Sequence, residues 1–206
     1  MANLQDFIVS RVRVKLLKAF LKDPSEMYYV RQLTRKTDEE INAVRRELQR
    51  MEKMGFLKSE NRGNRLYYYP CKSYDFYPEL LTLVAKTTGL GGAIRKQKSK
   101  IGKVKFAVLS GKFVRHLERD PNDVDLLVVG TIVIPELSQI VHKFEQQEKS
   151  EINYTVMTQE EFQFRKDRRD PFLLGILGQA RIMLLGDEAD LLERKKSELE
   201  QKQSNQ

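Results

Sequence analysis

The chain has 206 residues, 40% of them hydrophobic and 32% charged, enough for one large or two small domains under a well-charged surface. Its net charge of +8 is uneven: residues 1–100 carry a net of +10 and residues 101–206 a net of −2, which points to a polyanion partner for the first half. The single cysteine, Cys71, excludes an internal disulfide and a cysteine-based zinc site. With no secretory signal and no apolar run near the roughly 20 residues of a membrane span, a cytoplasmic protein without a membrane partner is expected.

Apolar residues from Phe7 to Leu21 recur at helical spacing, with Arg11, Arg13, Lys15 and Lys18 between them, and Asp23-Pro24 ends that helix. Met27-Tyr28-Tyr29 is a short β-like run, and a second helix fits Val30 to Lys36. Thr37-Asp38-Glu39-Glu40 has capping-box spacing and opens a third helix that runs to about Met54, before Gly55. Two β-like runs around Arg62-Gly63-Asn64 read as a hairpin. Pro70 to Pro78 is a joint, followed by a helix over 79–88, an interruption at the glycines between Gly89 and Gly92, and a basic helix from Ala93 to about Lys100. Beyond it the pattern alternates: strand Val104–Leu109, short helix Lys112–Glu118, strand Val124–Val129, helix Pro135–Glu148, strand Ile152–Met157, a helix opened by the capping box at Thr158, helix Pro171–Leu177 and strand Ile182–Leu185. A charged helix runs from Glu188 to about Lys202, with Leu191, Leu192 and Leu199 expected to pack or to meet a second copy.

On a helical wheel, Ile41, Val44, Leu48 and Met51 gather on one face of the third helix. Asn42, Arg46, Gln49, Arg50 and Lys53 gather opposite, with Arg45 at the edge. A short helix, a tight turn and a longer helix with a basic, amide-bearing outer face suit the major groove, where Arg bonds guanine and Asn or Gln bonds adenine. Arg62, Asn64 and Arg65 at the hairpin tip suit phosphates or the minor groove. A solvated helix face is the alternative, and Asp38, Glu39 and Glu40 oppose deep insertion of the helix start. Tyr29-Val30-Arg31-Gln32-Leu33-Thr34, the helix Ile41 to Met51, and Gly55-Phe56-Leu57 leading to Arg62-Gly63-Asn64-Arg65-Leu66-Tyr67-Tyr68 together resemble the winged helix-turn-helix of ArsR-type transcription regulators over residues 7–70. The cysteine and histidine clusters of metal sensors in that family have no counterpart in this sequence.

Asp123 and Asp125 lie one residue apart at the start of an apolar β-forming run. On a strand they would project together, as a divalent metal holding a nucleotide triphosphate requires. The alternative is a turn plus strand cap after Asp120-Pro121-Asn122. The strand Val104–Leu109, the turn Ser110-Gly111-Lys112-Phe113 and the pair Asp123-Val124-Asp125, with Asn153-Tyr154-Thr155-Val156-Met157 and Asp170-Pro171-Phe172-Leu173 downstream, resemble the minimal nucleotidyltransferases of the polymerase-β superfamily. That resemblance implies Asp123 and Asp125 as catalytic, Mg²⁺-binding residues, Glu151 as a third ligand, and Gly111 and Lys112 at the nucleotide. The chain departs from the family pattern in three places. Lys112 stands where the family serine contacts phosphate, His116 stands at the second family glycine, and the third acid falls near Asn153. Lys112 either holds phosphate as a point charge or pairs with one of the aspartates.

The expected fold is α+β in two domains. A winged helix-turn-helix covers 1–70, a helical connector 71–103, and an α/β nucleotidyltransferase-like domain with a small mixed sheet and a C-terminal helix 104–206. Two functions follow from the resemblances. One is a regulator of double-stranded DNA, acting as a homodimer through Asn42, Arg45, Arg46, Gln49, Arg62 and Arg65, whose degenerate second domain senses a nucleotide or dimerises. The other is an active transferase using Mg²⁺ and NTP to move NMP onto a protein, RNA or small molecule, against which Lys112 argues. A docking module for a small helical protein, as in toxin–antitoxin pairs, is a third.

Overall fold

The computed structural model describes residues 8–193 and is a mixed α+β protein with two small sheets. Helix α1 (Arg11–Lys22) starts at Ser10, whose hydroxyl accepts the Arg13 N–H; Phe7, the expected start, lies outside the described residues. Strand β1 (Tyr28–Tyr29) leads directly into α2 (Val30–Thr37), and α3 (Ile41–Lys53) follows. The expected capping box at Thr37 does not form. Thr37 is the buried last residue of α2 and donates its hydroxyl to the Leu33 carbonyl, and Asp38 closes that helix with φ +51°. Glu40 caps α3 instead, because its longer side chain reaches both the Asn42 and Ala43 N–H groups.

Strands β2 (Leu57–Arg62) and β3 (Arg65–Pro70) form the expected hairpin, and β1 pairs with β3 to give a three-stranded antiparallel sheet. Gly63 takes φ +59° at the two-residue turn, where a side chain would be strained. Helix α4 (Tyr77–Thr87) begins with Pro78 in its first turn. The expected interruption is present but short: Thr88 is extended after α4, Gly89 takes φ +54°, and α5 (Gly89–Lys96) starts at the glycines and not at Ala93. A Cβ at Gly91 would lie 2.2 Å from the Ala85 carbonyl oxygen, so glycine is what lets the start of α5 press onto α4. The short α6 (Lys98–Ile101) completes this segment.

The second sheet has the order β6-β5-β4-β7, with β4 (Gly102–Ser110), β5 (Leu126–Ile132), β6 (Tyr154–Met157) and β7 (Arg181–Leu185). It is mixed: β4 pairs antiparallel with β5 and β7, and β5 pairs parallel with β6. Both faces are covered, which is why β5 is apolar on both sides. Leu126 and Val128 face a cluster built with α4, α5 and α8 (Ile134–Glu148). Leu127 and Val129 face Phe162, Leu173 and Leu191 from α9 (Gln159–Asp167), α10 (Pro171–Gly178) and α11 (Glu188–Leu192). The first cluster also takes in Leu16 and Phe20 of α1, Leu33, Leu48, Phe56 and Tyr68, so one continuous core joins both sheets through α4. Leu191 is therefore a packing residue; Leu199 lies outside the described residues. Helix α7 (Gly111–Val114) is shorter than the expected 112–118, because the chain turns at His116 with φ +51°.

Candidate functional site

The outer face of α3 is open. Asn42, Arg45, Arg46 and Gln49 are all exposed, while Val44, Leu48 and Met51 are buried beneath them and Ile41 is half-buried. Arg45 and Arg46 lie in the field of Glu40 yet form no ion pair with it. Two of the three acids at the head of the helix have internal partners, while Asp38 stays exposed. Glu40 caps the helix, and its N–H donors hold it below the usual carboxylate range. Glu39 is turned back onto α1, where Arg11 and Lys15 each reach it at 2.7 Å, and the Arg11 hydrogen bond depresses its carboxyl in the same way. Sequence periodicity missed Glu47, which is only 5% exposed on the apolar side of α3. Burial acts to raise the Glu47 carboxyl, but Arg13 at 2.8 Å and Arg50 at 3.0 Å more than offset it, so it stays below its ordinary value. Arg50 is exposed, as expected of the outer face, but its guanidinium is paired with Glu47.

The hairpin lies beside this face. Arg65 stacks over the Tyr29 ring at 4.7 Å, which ties the hairpin tip to the start of α2. Arg62 is bonded to Glu60 and lies 5.9 Å from the Tyr67 ring centre. Of the three consecutive tyrosines, Tyr68 is buried and Tyr67 sits edge-on to Tyr29.

The acid pair is arranged differently from the strand geometry expected of it. β5 begins at Leu126, so Asp123 and Asp125 both precede the strand. The turn is built by Asp123 itself: its N–H donates to the Asp120 carbonyl at 2.9 Å, and its carboxylate Oδ2 accepts the Asp120 N–H at 2.9 Å. Each carboxylate holds a cation. The Lys112 ammonium is 2.7 Å from Asp123 Oδ2 and 3.5 Å from Asp120. The Arg119 guanidinium is 2.5 Å from Asp125 Oδ2, which also accepts the Asn153 N–H at 3.0 Å. The Lys112 hydrogen bond holds the Asp123 carboxyl below its usual range, and Asp123 in turn raises Lys112.

The glycine turn is also engaged. The Gly111 N–H donates to the Ala180 carbonyl at 2.7 Å, and the Lys112 N–H to Ser110 Oγ at 3.2 Å. A Cβ at Gly111 would meet that same Ala180 oxygen at 2.7 Å, so this glycine serves the close approach of two backbones. Asn153 uses its side-chain amide to bind the Asp123 carbonyl at 2.9 Å. Glu151 is exposed and lines an open cleft of about 690 Å³ with Arg119, Asp123, Asp125 and Glu145. No three His, Cys, Asp or Glu side chains gather as a metal set among the described residues. One oxygen is left over: Asp125 Oδ1, on a residue only 2% exposed, has no hydrogen-bond partner. Lys112 and Arg119 hold Asp123 Oδ2 and Asp125 Oδ2, so an Mg²⁺ ion using those two oxygens would have to displace both cations.

Sequence reading missed Arg119, and with it Gln179, whose amide lies 3.5 Å from Asp123 Oδ1. A basic residue six positions before Asp125 was the only local signal. His116 and His142 are both exposed, and His142 contacts Glu145 on its own helix at 3.5 Å. No helix among the described residues is long and apolar enough to cross a membrane. Comparison with protein-family models, curated proteins and solved structures finds no match.

Proposed function

We propose that this chain is a DNA-binding transcription regulator, with a winged helix-turn-helix at its N-terminus and a degenerate nucleotidyltransferase-like domain after it. The observation that carries the reading is the exposed face of α3, where Asn42, Arg45, Arg46 and Gln49 stand above a buried apolar seam and, among the described residues, neither arginine forms an ion pair. A helix so seated presents its outer side chains to base edges: Arg46 and Arg45 to guanine, Asn42 and Gln49 to adenine. Arg65, held on Tyr29, then sits at a phosphate, and Arg62 reaches a second one by exchanging its exposed Glu60 partner for it; both fix register without reading sequence. The retraction of Glu39 onto α1 supports this, since it removes one negative charge from the helix start.

Loss of transferase chemistry in the second domain is supported by the internal cations. Lys112 and Arg119 occupy the acid pair, and the Gly111 amide that would cradle phosphate is spent on Ala180. The test is titration of the full chain into fluorescent duplex DNA containing the region upstream of its own gene, over a range of salt. Salt-sensitive, sequence-dependent binding is expected; no affinity for any duplex at low salt would sink the proposal.

The unpartnered Asp125 Oδ1 favours a second reading, an active Mg²⁺-dependent nucleotidyltransferase in which a cation replaces Lys112 and Arg119. Calorimetry with Mg²⁺ and each NTP, followed by assay of pyrophosphate, separates the two. Binding with pyrophosphate release, lost in Asp123→Asn, would make the chain an enzyme. Binding without release would make it a nucleotide-sensing regulator.

A further inference from the structure

Residues 95–105 hold six Lys and Arg and no Asp or Glu, a net of +6 in a chain whose whole net charge is +8. This segment lies outside α3 and outside the hairpin. It runs from the end of α5 through α6 into the first residues of β4. Lys96, Lys98, Lys100 and Lys103 are exposed, and among the described residues none of them forms an ion pair. Lys105 is exposed as well and lies 5.5 Å from the Phe106 ring centre. Arg95 differs: it donates to the Lys86 carbonyl at 3.1 Å and is half-buried.

The contrast with the other lysines is informative. Lys15, Lys22 and Lys112 are each neutralised by a carboxylate at 2.7 Å. Like charges close in sequence gain from a counter-charge, and among the described residues no carboxylate pairs with Lys96, Lys98, Lys100 or Lys103. The strip is also held on firm backbone. Ile101 is fully buried, its carbonyl accepts the Val133 N–H at 2.7 Å, and Gly102 with φ +114° lets β4 approach the Thr131 carbonyl, which a Cβ would meet at 2.3 Å. Lys98, Lys100 and Lys103 thus flank a fixed anchor. Lysine ammoniums in this arrangement are point charges with flexible stems, suited to phosphates whose bases are not read.

We infer that this lysine strip is a second duplex-DNA contact, a sequence-independent phosphate-binding surface separate from α3. The inference rests on the DNA-binding reading for its partner, while the strip's charge and anchoring stand by themselves. Its physical basis is counterion release: each phosphate neutralised by a lysine adds about 0.9 to the slope of log K against log salt.

The experiment measures anisotropy of a fluorescent duplex of about three helical turns, between about 50 and 200 mM salt. It compares wild type with Lys98→Ala/Lys100→Ala/Lys103→Ala, with the same triple change to Arg, and with Arg45→Ala/Arg46→Ala. All three sites are exposed, so thermal melting should be unaltered in the alanine variant. The expected result is a slope lowered by up to about 2.7 in the alanine variant, an unchanged slope in the arginine variant, and unchanged preference between duplex sequences in both. An unchanged slope in the alanine variant, with weakened binding in Arg45→Ala/Arg46→Ala, would overturn the strip and leave the α3 reading intact. The reverse pattern would keep the strip and remove α3. Tighter lysine-dependent binding to vesicles of equimolar phosphatidylserine and phosphatidylcholine than to the duplex would overturn the strip as a DNA surface.

Discussion

The α3 face and the acid site use the same charged residue types in opposite ways. On α3, Arg45 and Arg46 project from a helix whose apolar side is buried, and among the described residues no carboxylate pairs with them. At the acid site, Lys112 and Arg119 lie against Asp123 and Asp125 at 2.7 and 2.5 Å. A charge that has an internal partner contributes to the fold; one left in water remains available to a second molecule. The difference lies in the neighbours that the fold provides. Exposed Lys96, Lys98, Lys100 and Lys103 belong with α3 in this respect, not with Lys112.

Substitutions should separate the two regions cleanly. The largest effect is expected at Asp125. Replacing it with Ala leaves Arg119 without its carboxylate and the Asn153 N–H without an acceptor at a 2% exposed position. Breaking a buried pair costs about 3–5 kcal/mol, and partial exposure of Arg119 places this one at about 3 kcal/mol. Urea unfolding would measure it, and the DNA affinity of the folded protein should not change. A loss under about 1 kcal/mol would show that solvent already screens the pair.

Arg46→Ala should do the opposite. DNA affinity falls by about 1–3 kcal/mol with relaxed sequence choice, while stability stays within about 0.5 kcal/mol of wild type. Equal losses in stability and in binding would mean that the α3 face is structural, and the comparison would collapse.

Glu40→Ala joins the regions' two logics, since Glu40 is a structural acid at the head of the binding helix. Losing its two hydrogen bonds to the α3 N-terminus should lower the melting temperature modestly. Binding at low salt should weaken only through fraying of the helix start.

The smallest effect is in pH. Lys112 depresses the folded-state Asp123 carboxyl. Its stabilisation is therefore complete above the unfolded value of about 3.9 and is lost as pH falls through the lower folded value. Lys112 is raised by the same contact, so its share is complete below its unfolded value of about 10.4 and is lost as pH rises through the raised one. The stability gap between wild type and Asp123→Asn should thus be constant near neutral pH and close in acid. A gap unchanged down to the folded-state pKa would mean that the carboxylate charge contributes nothing there.

Local patterning carried much of the fold. The apolar spacing of Val44, Leu48 and Met51, the Gly63 turn and the Thr158 cap each reflect forces acting within a few residues, and the Glu161 N–H does bond Thr158 at 3.1 Å. The glycines at 89–92 mark a real break, at Thr88 and Gly89, but Gly91 serves a close helix approach to the Ala85 carbonyl, which local sequence does not distinguish from a turn. The cap at Thr37 misled because Thr37 still belongs to α2, where its hydroxyl is spent on the Leu33 carbonyl, and α3 begins one turn later under Glu40.

The order of helices and strands, the buried face of α3 and the charge excess of 95–105 were determined by the sequence alone, since periodicity and charge are local properties. Tertiary structure decided which charges remain available. Lys112 lies eleven residues from Asp123, and Asn153 lies 28 residues from Asp125. Only the pairing of β5 between β4 and β6 brings those atoms to hydrogen-bond distance. Whether a cation is held or free depends on distances across the fold, where attraction changes steeply with separation and burial.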